Sequence, residues 1–179
     1  MNRYARWGFA LALLPIAACS NRAQTVSVPP APPAPPALAD ADATFANSVI
    51  DMGMFQTQVA PYAAQNGRRA PVKTYASALA DAYTKNMAQI QSTVATKTYT
   101  APTSLSTNMQ GLAGGVTSLK GPALDRAFLH AEVQALSGSV QAYQAEVANG
   151  QDADLKSLAQ TNLPTVQRQL ARARALGGR

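Results

Sequence analysis

From Asp40 to Leu176 the apolar residues of this chain return every three or four positions, and no stretch alternates apolar with polar as a half-buried strand would. Such spacing gathers them on one stripe of a helix, and a stripe must be buried against another. The first segment begins near Asp40 or Asp42, both acceptable N-caps, and carries Phe45, Val49, Met52, Gln56, Val59 and Ala63. A kink is expected at Pro61 and a left-handed cap at Asn66-Gly67. The second opens on Pro71, which needs no amide donor there, and carries Val72, Tyr75, Leu79, Tyr83, Met87, Ile90 and Val94. A connection from Thr98 to Thr103 leads to a short helix around Ser104 to Leu112, which a Gly114-Gly115 break should end. The third main helix starts at Gly121-Pro122, stops at Asn149-Gly150, and carries Leu129, Val133, Leu136, Val140, Tyr143 and Val147. The fourth runs from about Asp152 to Leu176 with Leu155, Leu158, Leu163, Val166, Leu170 and Ala173, bent by Pro164. Four such stripes with short connections predict an all-α, antiparallel four-helix bundle with a short extra helix between helices two and three. Because only 6% of residues are aromatic, its core must be largely alanine and aliphatic.

What precedes Asp40 reads as an address and a spacer. Arg3 and Arg6 followed by the apolar run Trp7 to Ile16 form a secretory signal, too short to span a bilayer. It ends Ile16-Ala17-Ala18-Cys19, a lipobox-like series in which small side chains admit a peptidase and the cysteine sulfur takes a diacylglycerol. The alternative is an ordinary cleaved signal with Cys19 incidental. However, Cys19 is the only cysteine, and an unpaired thiol in an oxidising compartment is a liability that lipidation removes. Acyl chains such as palmitate would then anchor the protein, and Ser20 at the following position favours the outer membrane, facing the periplasm. The Pro-Pro-Ala repeats from Val28 to Ala37 favour extended polyproline geometry and make a stiff tether. The expected organisation is a signal peptide at 1–18, lipidated cysteine and tether at 19–39, and the bundle at 40–179.

Loss of Arg3 and Arg6 with the signal takes the net charge from +6 to +4, a mild basicity suited to anionic lipid or polymer. Clustered basic residues interleaved with aromatics are missing, so nucleic acid is not an expected partner. Catalytic sets are missing too. His130 is the only histidine and reads as a surface or boundary residue, with Arg126 rather than an orienting carboxylate one turn away. Met52, Met54, Met87 and Met109 read as gap-filling core. Asp125 reads as a cap or salt bridge of the third main helix near Arg126. The arginines Arg168, Arg172, Arg174 and Arg179 give the last helix a basic, solvated face that complements its dipole.

Three further pieces carry a resemblance. They are Val72-Lys73-Thr74-Tyr75-Ala76, Lys120-Gly121-Pro122-Ala123-Leu124-Asp125-Arg126-Ala127-Phe128, and Leu163-Pro164-Thr165-Val166. In that order and spacing, over Asp42 to Leu176, the chain resembles the exported ferritin-like helical proteins grouped as domain of unknown function 4142. The resemblance implies a ferritin-like bundle with a Glu in the first main helix and a His in each of the others, turned inward where they would hold a metal. Here those positions read Gln56, Tyr83, Leu136 and Gln169. Leu136 has no lone pair, neutral amides are poor ligands for transition metals, and a phenol must first lose a proton of pKa near 10. No metal, no other cofactor and no catalytic residue is therefore expected. Gln56, Tyr83 and Gln169 either form a buried polar layer or send their polar tips to the surface.

The expectation is a non-catalytic bundle on a membrane tether, with an envelope protein or an anionic polymer as partner. A ferritin-like metalloprotein or oxidoreductase with its ligands elsewhere is the alternative. A third reading is a subunit that lends an apolar groove to a partner helix.

Overall fold

The computed structural model describes residues 34–177; the signal, Cys19 and most of the tether lie outside the described residues. Among these the chain forms α1 (Asp40–Asn66), α2 (Ala70–Val94), α3 (Thr107–Thr117), α4 (Gly121–Asn149) and α5 (Ala153–Ala175). All five are helical, as the three-and-four spacing requires, and the four long ones make an all-α, ferritin-like four-helix bundle.

Side chains at the two ends reveal how the helices run. Asp42, at the start of α1, accepts hydrogen bonds from the backbone N–H groups of Gln151 and Asp152, at the start of α5. Asp125, at the start of α4, accepts from Arg68 N and Arg69 N at the start of α2, at 2.9 and 2.8 Å. The Arg69 guanidinium donates to Leu176 O at the end of α5. Helices α1 and α5 therefore run one way and α2 and α4 the other, up-down-down-up. This order demands a crossover between α2 and α4, and α3 lies in it, packed on α1 and α4. Asp51 of α1 fixes that crossover by accepting from Ser106 N and Oγ at the α3 N-cap.

Residues 34–39 are attached to the bundle. Thr98 donates its N–H to Pro36 O and its hydroxyl to Pro35 O, and Leu38 packs on the core. The core itself combines Phe45, Phe55 and Phe128 with many alanines and aliphatic residues.

Several local expectations are corrected. The N-cap of α1 is Ala39, without a side-chain cap, since Asp42 serves α5 instead. Asp125 caps α2 across the bundle rather than serving its own helix. Gly67 is extended (φ −67°, ψ 164°), not left-handed. Glycine is needed there because a Cβ would sit 2.7 Å from Ala63 O and 2.8 Å from the Asp125 carboxyl. At Gly150 a Cβ would overlap the Glu146 carboxyl in the same way. The Gly114-Gly115 pair does not break α3, which runs through both to Thr117. Two glycines weaken a helix by about 1 kcal/mol each but break it only where the chain has another use for them. In α4 the buried stripe is rotated: Phe128, Glu132, Ala135, Leu136, Ser139 and Tyr143 face inward, while Val133, Val140 and Val147 are half-buried. Leu163 of α5 is likewise half-buried.

The two capping carboxyls generate a prediction. Asp42→Ala and Asp125→Ala each strand two part-buried backbone donors at a helix start and should each lower stability by about 1–2 kcal/mol. As they lie at opposite ends of the bundle, the double variant should lose the sum, measured as urea midpoints. A loss much smaller than the sum would show that the two ends are not independent.

Candidate functional site

The inward positions meet at mid-bundle. Gln56 of α1 is fully buried, and its Nε2 donates to Glu132 Oε2 of α4 at 2.6 Å. Glu132 is equally buried, and burial pushes its carboxyl up to about 8, against a smaller opposing pull from the Gln56 hydrogen bond. At neutral pH it is therefore a neutral acid. Gln56 Oε1 and Glu132 Oε1 have no partner in the hydrogen-bond network. A neutral acid carries a proton on one oxygen and so contributes a donor that an ionised pair would lack.

Tyr83 of α2, 4% exposed, donates to Gln169 Oε1 of α5 at 3.3 Å, and Tyr75 donates to Gln169 O at 3.0 Å. Burial first, and negative neighbours including Glu132 second, raise both phenols above their ordinary range. Leu136, fully buried, lies one turn beyond Glu132. Tyr143 stacks edge-on against Phe45 and accepts from Asn86 Nδ2.

Thus Gln56, Tyr83 and Leu136 are buried and Gln169 is half-buried. The polar members form two pairs, Gln56 with Glu132 and Tyr83 with Gln169, rather than one continuous layer. Glu132 is the member that sequence reasoning missed. Its signal was present: it stands four residues after Phe128 and four before Leu136, on the rotated stripe. His130 is exposed.

The chemistry available here is that of a closed polar plug. One neutral acid, amides, raised phenols and a leucine do not make a donor set for a transition metal. Among the described residues, no three His, Cys, Asp or Glu side chains group so as to hold a metal ion.

A second cluster caps the end where α1 and α5 start. Burial first, and then the close Asp42 carboxyl and the negative charge of Asp152, push the Glu146 carboxyl up to about 7. Beside it Lys97, just past α2, pairs with Asp152 at 2.7 Å and Asp154 at 2.9 Å, tying α2 to α5.

The family model described as "Domain of unknown function (DUF4142)" matches residues 27–176, so the match reaches back into the proline-rich tether. No curated protein matches the chain. A solved structure, a DUF305 fragment from Deinococcus radiodurans, matches at 13% identity with a TM-score of 0.69, covering 79% of this chain and 99% of that one. At that identity the likeness concerns the fold.

The buried acid makes stability depend on pH. A carboxyl that titrates near 4.5 when unfolded and near 8 when folded holds its proton only in the native state between those values. Its contribution is full below about pH 4.5 and is lost as pH rises toward 8, with Glu146 acting in the same direction up to about 7. Glu132→Gln removes the charge but keeps the shape, so it should flatten most of this decline and stabilise the protein at pH 8 by a few kcal/mol. Thermal midpoints of both proteins between pH 5 and 9 check this, and parallel curves would refute it.

Proposed function

The chain belongs to the DUF4142 family, and for it we propose the role of a lipid-anchored envelope protein whose bundle binds or braces a partner and does not turn over a substrate. The observation that carries the non-catalytic part is the plug at mid-bundle. Where a bundle of this topology builds its reactive sites from inward side chains, this one has the Gln56–Glu132 hydrogen bond, with Leu136 packed one turn away. Buried groups engaged with one another offer a substrate no open position.

The anchoring part rests on residues 16–20. Ile16-Ala17-Ala18 before Cys19 suits cleavage and lipidation, Ser20 favours the outer membrane, and the periplasmic face follows. Among the described residues no helix is long and apolar enough to cross a membrane, so attachment in this reading falls to the lipid. The tether ends in direct contact with the bundle, where Thr98 holds Pro35 and Pro36.

Growth of a bacterial host with an alkyne-bearing palmitate analogue tests the anchor. The full chain should incorporate the label, and Cys19→Ala should not incorporate it and should accumulate as the longer, unprocessed form. Label on Cys19→Ala, or none on the wild type, overturns the anchor. Stoichiometric transition metal in protein purified without chelator overturns the non-catalytic reading.

A further inference from the structure

We propose that the seam between α2 and α5 is a binding groove for an anionic glycan chain. This deepens the binding role proposed above and rests on it, but not on lipidation.

The seam is the bundle's open side. Helices α2 and α5 approach each other closely at far fewer places than α1 with α2 or α4 with α5. Three concavities follow one another along it, of about 390, 120 and 200 Å³. Gln89 lines both the first and second, and Thr165 and Gln169 line both the second and third, so they lie end to end along the seam, with the Asn162–Gln89 and Tyr83–Gln169 hydrogen bonds crossing between them. Together they extend from Tyr75 on α2 to Thr96 just past that helix, which at 1.5 Å per residue is about 30 Å. That is the shape for a strand, not for a small molecule.

Its walls specify the occupant. In the widest part, Gln89, Ser92 and Thr93 of α2 face Ser157 and Thr161 of α5. Amides and hydroxyls both donate and accept, which suits the hydroxyls of a sugar and not the apolar stripe of a partner helix. Toward the other end Tyr83 and then Tyr75 form the floor, and Lys85, Arg168 and Arg172 stand on the walls. Arg168 and Arg172 are one helical turn apart, and Arg168 donates to Thr165 Oγ1 at 2.8 Å, which holds its guanidinium against the groove. Among the described residues the ion pairs are those of Lys97, so these three cations have no acidic partner. The one acid lining the groove, Asp154, is itself engaged by Lys97 at 2.9 Å. Three unpaired cations along half of a hydroxyl- and amide-lined groove match a polysaccharide with carboxylates at intervals.

The test titrates the purified full chain in mild non-ionic detergent with hyaluronan oligosaccharides, which carry a carboxylate on every second sugar. Calorimetry is run at low and at raised salt, with circular dichroism confirming that every variant keeps its helices. Saturable binding that weakens with salt is expected. Arg168→Gln with Arg172→Gln should weaken it at least tenfold, and Ser92→Glu, which places a negative charge on the wall, several-fold. Lys120→Gln with Arg126→Gln, the same charge change at exposed positions outside the groove, should change it less than twofold. Absence of saturable binding overturns the proposal, as does equal loss in that control pair. Neutral dextran binding as well as hyaluronan would remove the role of the cations, and poly-glutamate binding as well would remove the glycan; either overturns it. If hyaluronan binds but Cys19 is never labelled, the anchor fails and the groove stands; a labelled protein that binds no hyaluronan is the reverse.

Discussion

Two carboxyl groups hold the turns of this bundle from outside the helices they cap. The short links before α2 and α5 expose backbone donors that a helix start cannot satisfy internally, and neither link supplies a complete answer from its own sequence. Asp125 reaches from α4 to the first, and Asp42 reaches from α1 to the second. Each bond joins the start of one helix to the turn of another hairpin, so it fixes which ends lie together as well as satisfying donors. The up-down-down-up order, and hence the need for the α3 crossover, follows from that pairing. Close approach has its own requirement: Gly67 and Gly150 stand beside the acids of these two ends because a methyl group there would collide with Asp125 or with Glu146.

The middle of the bundle works by the opposite logic. A charged carboxylate at Glu132 would bear the full cost of desolvation with one neutral amide to answer it, so burial favours the protonated form. As a neutral acid opposite Gln56, it links α1 to α4 through a directional bond where a hydrophobic pair would give only contact. Tyr83 does the same for α2 and α5 through Gln169. Polar pairs of this kind set the register of helices whose alanine-rich faces would otherwise tolerate sliding, as an isolated polar residue does in a coiled coil. The same occupancy closes the position from which related architectures recruit reactive groups.

Much of this was legible in the chain. The stripes of α1 and α2 are the buried ones, down to Gln56 and Tyr83 and with only Met87 half-buried, because helical periodicity determines which residues share a face. In α4 the valines misled. Val133, Val140 and Val147 keep the spacing but pack at the margin, whereas the buried face includes Glu132 and Glu146, two residues that hydropathy places in water. A carboxyl can occupy a core only when tertiary neighbours hold it protonated or bonded, and sequence periodicity carries no information about neighbours from other helices. Asp42 and Asp125 were misassigned for the same reason: each stands near a helix start and reads as a local cap, yet its donors lie far away in the chain. Gly114 and Gly115 show the converse error, a local rule without a tertiary need behind it.

Which seam of the bundle is closed and which is open depends on side-chain size at the crossing points. Between α1 and α2, Gly53 leaves room for the Met87 sulfur where a Cβ would overlap it, and the two helices approach closely at many more places than α2 and α5 do. Between α2 and α5 the corresponding places hold Tyr75 and Tyr83, which span the gap and reach Gln169 with their hydroxyls. Beside these phenols the seam is lined mostly by polar groups from both helices, Asn86 and Gln89 from α2 and Asn162 and Thr165 from α5, rather than by a further apolar layer. Two large residues on the inner edge of α2 thus line this open seam. Their hydroxyls, held un-ionised by burial, tie α2 to α5 through Gln169. A bundle whose centre is plugged can still present a shaped surface, and in this one the plug and the groove are built from the same tyrosines.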